Sequence, residues 1–139
     1  MIHATAVAIN GAGVLLLGQS GSGKSDLALR LIDRGAALIS DDSVLVEAGD
    51  PIPLLRTAPN IAGLIEIRGV GIVKMPFADS IALHLAVAIV DIVERVPPEQ
   101  QSIRIAGSEI RFMLISAFEP SAVIKVEQAL RIALEGSSD

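Results

Sequence analysis

The chain has 139 residues, about half of them hydrophobic, with three Phe and no Trp or Tyr, a composition that suits one domain with an aliphatic core. A net charge of −5 without any basic run argues against nucleic acid and membranes as partners, and the scarcity of aromatics argues against stacking as the main mode of nucleobase recognition. The absence of cysteine excludes disulfides and thiolate metal sites; no secretory signal is visible and no apolar run nears ~20 residues, so a cytoplasmic protein is expected.

Residues 1–9 alternate loosely between small and β-branched side chains, and Asn10-Gly11 is a strong hairpin signal. Val14-Leu15-Leu16-Leu17 follows as a buried strand. A two-residue turn sets Ile9 against Ala12 and His3 against Gly18, whereas a four-residue turn sets His3 against Ser20. Either register carries His3 to the stretch that follows, Gly18-Gln19-Ser20-Gly21-Ser22-Gly23-Lys24-Ser25, which fits the Walker A pattern G-x-x-x-x-G-K-[ST]. A polyphosphate needs backbone N–H groups wrapped closely around it, and glycines permit that approach. The helix behind the loop offers free N–H groups and a partial positive charge. Lys24 suits the β- and γ-phosphates, and the Ser25 hydroxyl suits Mg²⁺.

Residues 26–34 read as a helix with Asp26, Arg30, Asp33 and Arg34 on one face and Leu27, Ala28, Leu31 and Ile32 on the other, closed by Gly35. Residues 36–40 read as a short buried strand ending in Asp41-Asp42, and residues 43–47 as another. Residues 48–60 carry Gly49, Pro51, Pro53 and Pro59 and read as loop. Residues 61–67 and 70–75 read as strands meeting at Arg68-Gly69, and residues 84–93 as a buried strand. Pro97-Pro98-Glu99 reads as loop, and residues 103–106 and 109–116 as a hairpin around Ala106-Gly107-Ser108. A last helix starts near Pro120, with Val123, Val126, Leu130 and Leu134 on its apolar face, and ends at Gly136. Residues 1–136 are expected to form one catalytic domain and 137–139 a polar tail. Strands outnumber helices and both hairpins are antiparallel by construction, so the expected fold is α/β with a mixed sheet around the phosphate loop.

Asp41-Asp42 stands where a Walker-B-like carboxylate belongs, after an apolar strand that follows the phosphate-loop helix. One carboxylate can hold Mg²⁺ and the other can accept a proton from an attacking hydroxyl or water. Glu66 and Arg68 flank Ile67 and share a strand face, a pairing that suits a metal and phosphate site. His84 is read as structural.

These stretches together resemble the C-terminal catalytic domain of the HPr kinase/phosphorylase family. The resemblance rests on His3, residues 18–25, Leu38-Ile39-Ser40-Asp41-Asp42 and Ile65-Glu66-Ile67-Arg68-Gly69-Val70-Gly71-Ile72. It implies a fold related to the nucleotide-binding core of phosphoenolpyruvate carboxykinase, often assembled as a hexamer. It also implies ATP-dependent phosphorylation of a serine on HPr, the phosphocarrier of the sugar phosphotransferase system, and reversal of that step by inorganic phosphate. By resemblance His3 and Lys24 are catalytic, Asp42 exchanges the proton, Ser25 and Glu66 hold Mg²⁺, and Arg95 is a further catalytic arginine.

This chain departs from the family pattern in several places. It corresponds to the catalytic domain without the family's N-terminal one, and Asp26 stands where the family usually has Glu. The glycine-rich segment that engages the protein substrate is replaced by Met75-Pro76-Phe77-Ala78-Asp79-Ser80. The basic segment linked to dephosphorylation is replaced by Ala117-Phe118-Glu119-Pro120-Ser121-Ala122, so kinase activity is expected with weak or no phosphorolysis. Two other functions compete: a small-molecule P-loop kinase, and a nucleotide-sensing module that signals without efficient transfer.

Overall fold

The structure is a computed structural model that describes residues 1–91 and 101–136. The expected loop at Pro97-Pro98-Glu99, the last residues of the strand expected over 84–93, and the tail 137–139 lie outside the described residues.

The N-terminal hairpin pairs β1 (Thr5–Ile9) with β2 (Ala12–Leu17). Asn10 and Gly11 both take positive φ, 49° and 82°, as a two-residue turn of matching twist requires. The register is Ile9 against Ala12 and Thr5 against Leu16, the tighter of the two alternatives. The phosphate-loop stretch leaves β2 and leads into α1 (Lys24–Asp33), which ends as expected before Gly35 at φ 114°. The chain returns through β3 (Ala37–Ser40), antiparallel to β1.

β4 (Val44–Glu47) pairs with β5 (Leu54–Thr57), and β5 also pairs with the start of β8 (Ile81–Ile89). β5 lies within the stretch expected to be loop. Pro53 and Pro59 fall outside it, so Leu54–Thr57 keeps its N–H groups for two partners, and glycine and proline content hid a four-residue strand. The same pairing moves the start of β8 forward to Ile81 from the expected 84.

β6 (Leu64–Ile67) and β7 (Gly71–Lys74) form a separate two-stranded sheet. β6 starts later than expected because Leu64 N–H bonds Ile61 O at 3.0 Å and closes a turn there. β9 (Gln101–Ile105) and β10 (Ser108–Ile115) form the second expected hairpin, with Ala106 and Gly107 at φ 48° and 84°. α2 (Ala122–Gly136) begins two residues after Pro120; Ser121 O accepts the Lys125 N–H at 2.9 Å. No helix among the described residues is long and apolar enough to cross a membrane.

The principal sheet runs β3-β1-β2-β8-β10-β9. β2, β8 and β10 are parallel, whereas β1 and β9 run against their neighbours, so the sheet is mixed as the hairpins demanded. Strand alternation sorts the apolar side chains into two layers. Val7, Val14, Leu16, Leu85 and Val87 pack with Leu27 and Leu31 of α1 and Val126 and Leu130 of α2. Ala6, Ala8, Leu15 and Ala86 form the opposite layer with Val44 of β4 and Leu55 of β5. Gly13 allows this second layer to close: a Cβ there would lie 2.6 Å from Ala82 O and 2.9 Å from Leu55 Cδ1.

Candidate active site

The phosphate-loop stretch takes the conformation its glycines permit. Gly21 and Gly23 have φ of 81° and 104°, and Gly18 leaves room for Ser22, whose Oγ would sit 2.5 Å from an added Cβ. Ser22 N–H bonds Gln19 O at 3.0 Å and rounds the loop. Gly23 caps α1, so the unpaired first amides of the helix open toward the loop. Lys24 is buried, and its Nζ donates to Gly18 O at 2.7 Å and Gln19 O at 3.1 Å. The ammonium thus sits inside the loop that the motif predicts it serves.

Asp41 ties four parts of the chain together. Its Oδ1 accepts from Ser25 Oγ at 2.7 Å and Thr5 Oγ1 at 3.0 Å, and its Oδ2 accepts from Glu66 N–H at 3.0 Å. A carboxylate exposed by only 7% needs such donors, because burial without them would be costly. Thr5 also accepts the Asp42 N–H at 3.1 Å. Asp42 has φ 67°, a left-handed conformation that Asp tolerates better than most residues, and its side chain is exposed. Adjacent acids therefore occupy different environments: Asp41 is locked inward, whereas Asp42 faces solvent beside His3, with His3 Nε2 3.4 Å from Asp42 Oδ1 and 3.4 Å from Ser20 Oγ.

A cavity of about 650 Å³ opens here, lined on its polar side by Ser20, Lys24, Ser25, Asp41, Asp42 and Glu66. That size lies within the range of small-molecule sites. Arg68 also lines it, from the β6–β7 turn rather than from the strand, where Gly69 has φ 85°. Gly21 and Gly23 complete the loop's share of the lining, while Gly18, Gln19 and Ser22 do not line the cavity; Gly18 and Gln19 accept from Lys24 through their carbonyls. His3 stands at the edge and reaches the site through Asp42 and Ser20. Arg95 lies outside the described residues. His84 takes no part in the lining; burial pushes its pKa below the ordinary histidine value.

The oxygens of Ser25, Asp41 and Glu66 are hard donors, the kind Mg²⁺ takes beside phosphate and water. No cluster of three or more acidic or imidazole side chains forms a metal cage among the described residues. Sequence reasoning missed Thr5, although a lone hydroxyl in the small apolar run Ala4-Thr5-Ala6-Val7-Ala8 was a signal. It also missed Leu29, Ala117 and Phe118, which line the cavity from α1 and the β10–α2 connection.

Comparison with known proteins gives the family and the fold. Residues 1–129 match the model of the HPr serine kinase C-terminal domain. HPr kinase/phosphorylase of Geobacillus kaustophilus is 34% identical over 137 residues, covering 96% of this chain and 44% of the relative. HPr kinase/phosphorylase of Limosilactobacillus reuteri is 52% identical over 75 residues, covering 53% of this chain and 23% of the relative. The chain thus spans less than half the length of the curated relatives it matches. Among solved structures, the Hpr(Ser) kinase/phosphatase from Coxiella burnetii superposes with a TM-score of 0.82 at 24% identity, over 99% of this chain and 93% of that one, a likeness of fold. With a family model that matches residues 1–129, this chain belongs to the HPr serine kinase C-terminal domain family.

Proposed function

We propose that the chain is an ATP- and Mg²⁺-dependent kinase that phosphorylates a serine of HPr. One observation carries the reading: Ser25 Oγ lies 2.7 Å from Asp41 Oδ1 on the phosphate loop, while the adjacent Asp42 faces the cavity beside His3. An ion-binding pair and a separate solvent-facing carboxylate are what phosphoryl transfer asks for.

In this reading the loop amides and the first turn of α1 hold the β- and γ-phosphates. Lys24 moves from the loop carbonyls to the phosphate oxygens. Ser25, Asp41 and Glu66 would hold Mg²⁺, which would supply positive charge to offset that of the phosphates. The substrate serine oxygen forms a bond to the γ-phosphorus as the bond to the β–γ bridging oxygen breaks. Asp42 takes the hydroxyl proton, ADP leaves, and His3 orients Asp42. Arg68 faces the charge that develops on the transferred group, and Arg95 is a further candidate for that task. The phosphate-loop fold, the kinship with phosphoenolpyruvate carboxykinase, homo-oligomeric assembly and a cytoplasmic setting belong to the same reading.

The test is transfer of labelled γ-phosphate to purified HPr by wild type and Asp42→Asn. Label on HPr, lost at least about 100-fold in the variant with near-normal ATP binding, is the expected result. Label on a metabolite instead would indicate a small-molecule kinase, saturable ATP binding without turnover a sensing module, and full activity of Asp42→Asn would remove Asp42 from its role.

A further inference from the structure

Phe118 is one of three aromatic residues in the chain and is 78% exposed, yet its backbone is braced. Its neighbour Ala117 is buried, and Arg30 of α1 donates through Nη2 to Ala117 O. Asp26 forms an ion pair with the same guanidinium, with Arg30 Nε 3.1 Å from Asp26 Oδ2. A Cβ at Gly23 would come within 3.0 Å of Ala117 Cβ, so the β10–α2 connection lies directly against the phosphate loop. The result is a solvent-facing ring on an anchored segment, lining the same cavity as Lys24 and Ser25.

The topology gives that ring a side. β3, β2, β8 and β10 all point the same way, so their C-terminal ends share one edge of the sheet. The phosphate loop leaves β2 and Asp41-Asp42 leaves β3, on one side of it; Phe118 leaves β10, on the other. Ligands of open α/β sheets lie across this edge. With phosphates at the loop and the metal-binding oxygens on the β3 side, the remainder of a nucleotide has the β10 side. Ala117 of the β10–α2 connection adds apolar surface beside the ring, and Leu29 of α1 and Ile67 of β6 also line the cavity, a lining that suits a base rather than a phosphate.

We propose that Phe118 is the stacking platform for the nucleobase of the bound nucleoside triphosphate. The inference rests on the nucleotide reading given above and adds the base subsite to it. Sparse aromatics argued against stacking as the main mode of recognition, but a single ring at the right edge is sufficient, because every base has a π-face. A platform of this kind holds adenine and guanine alike.

Calorimetry with wild type and Phe118→Ala, using MgATP, MgGTP and magnesium tripolyphosphate, tests it. Affinity for both nucleotides should fall about tenfold in the variant while tripolyphosphate affinity stays within about twofold. Phe118→Trp supplies a second readout, since the chain has no other Trp: its fluorescence should be quenched by MgATP and not by tripolyphosphate. Equal nucleotide affinity in wild type and Phe118→Ala overturns the proposal, including the case where only the KM for a protein substrate rises and the ring serves docking. A parallel loss of tripolyphosphate binding also overturns it, by making Phe118 a support of the phosphate loop. Failure of wild type to bind either nucleotide or tripolyphosphate would instead remove the nucleotide reading itself, and the base subsite with it.

Discussion

Thr5 shows how much one buried hydroxyl can organise. It donates to Asp41 and accepts from the Asp42 backbone, so it fixes where the two acids diverge. Thr5→Val keeps the shape but leaves both partners short of a bond in a fully buried place. It should cost about 1–3 kcal/mol in urea denaturation, and an unchanged midpoint would show that water replaces the hydroxyl. His84 gives a pH signature at the same scale. Burial lowers its folded pKa below the unfolded value of about 6.5. Above that pH the imidazole is neutral in both states and its share of stability is complete. As pH falls through about 6.5 the unfolded chain takes the proton first, so stability drops until the folded pKa is passed. His84→Gln should flatten that part of a stability-against-pH curve measured by denaturation from about pH 8 to about pH 5. An identical slope in wild type and variant would contradict the assignment.

At the scale of elements, the β10–α2 connection is the segment where the sequence was expected to depart from the family pattern. It carries Ala117-Phe118-Glu119 with no arginine, and Glu119 is already paired with Lys125 at 2.5 Å. A segment with an exposed ring and an acid offers little to inorganic phosphate. Incubating serine-phosphorylated HPr with the protein, Mg²⁺ and phosphate should therefore release pyrophosphate at least about tenfold more slowly than the kinase reaction runs, and rapid release would overturn the expectation. The β6–β7 hairpin is the complementary element. It supplies Glu66 and Arg68 to the cavity, but Val70 and Ile72 on the same hairpin are over 70% exposed. The hairpin is set apart from the main sheet, and β6 is moored by the Glu66 N–H to Asp41 and by Ile65 in the helix-side core. The two elements flanking the cavity differ accordingly: one is fastened through Arg30 and Gly23, the other through Asp41.

At the scale of the whole molecule, one mixed sheet separates two apolar layers, and the site lies along the edge where its parallel strands end. Much of this was legible in the residues. Asn10-Gly11 specifies a tight turn because both positions need positive φ, and that turn sets the β1–β2 register that carries His3 toward the loop, while the pairing of β1 with β3 and the Ile2–Val44 bridge bring it beside Asp42. The glycine-rich loop is equally local, since its conformation depends on which residues lack a Cβ. The separation of Asp41 from Asp42 was partly legible: a metal carboxylate and a proton acceptor were expected of the pair, while the left-handed backbone at Asp42 that divides them was not. β5 was hidden, because a four-residue strand between prolines exists only through its partners β4 and β8. Thr5, Leu29 and Phe118 were hidden for a related reason. Thr5 and Phe118 reach the site from segments far away in the chain, across pairings that link β1 to β3 and β8 to β10, whereas Leu29 lies one turn along α1 from Ser25 and shows only once the cavity forms over that face. Sequence by itself determined the turns, the glycine-rich loop and the acidic groups, since steric freedom and charge are properties of short stretches. Only tertiary structure decided which side chains share the cavity, because strand order and the packing of α1 against β6 are set by burial of apolar surface over the whole chain.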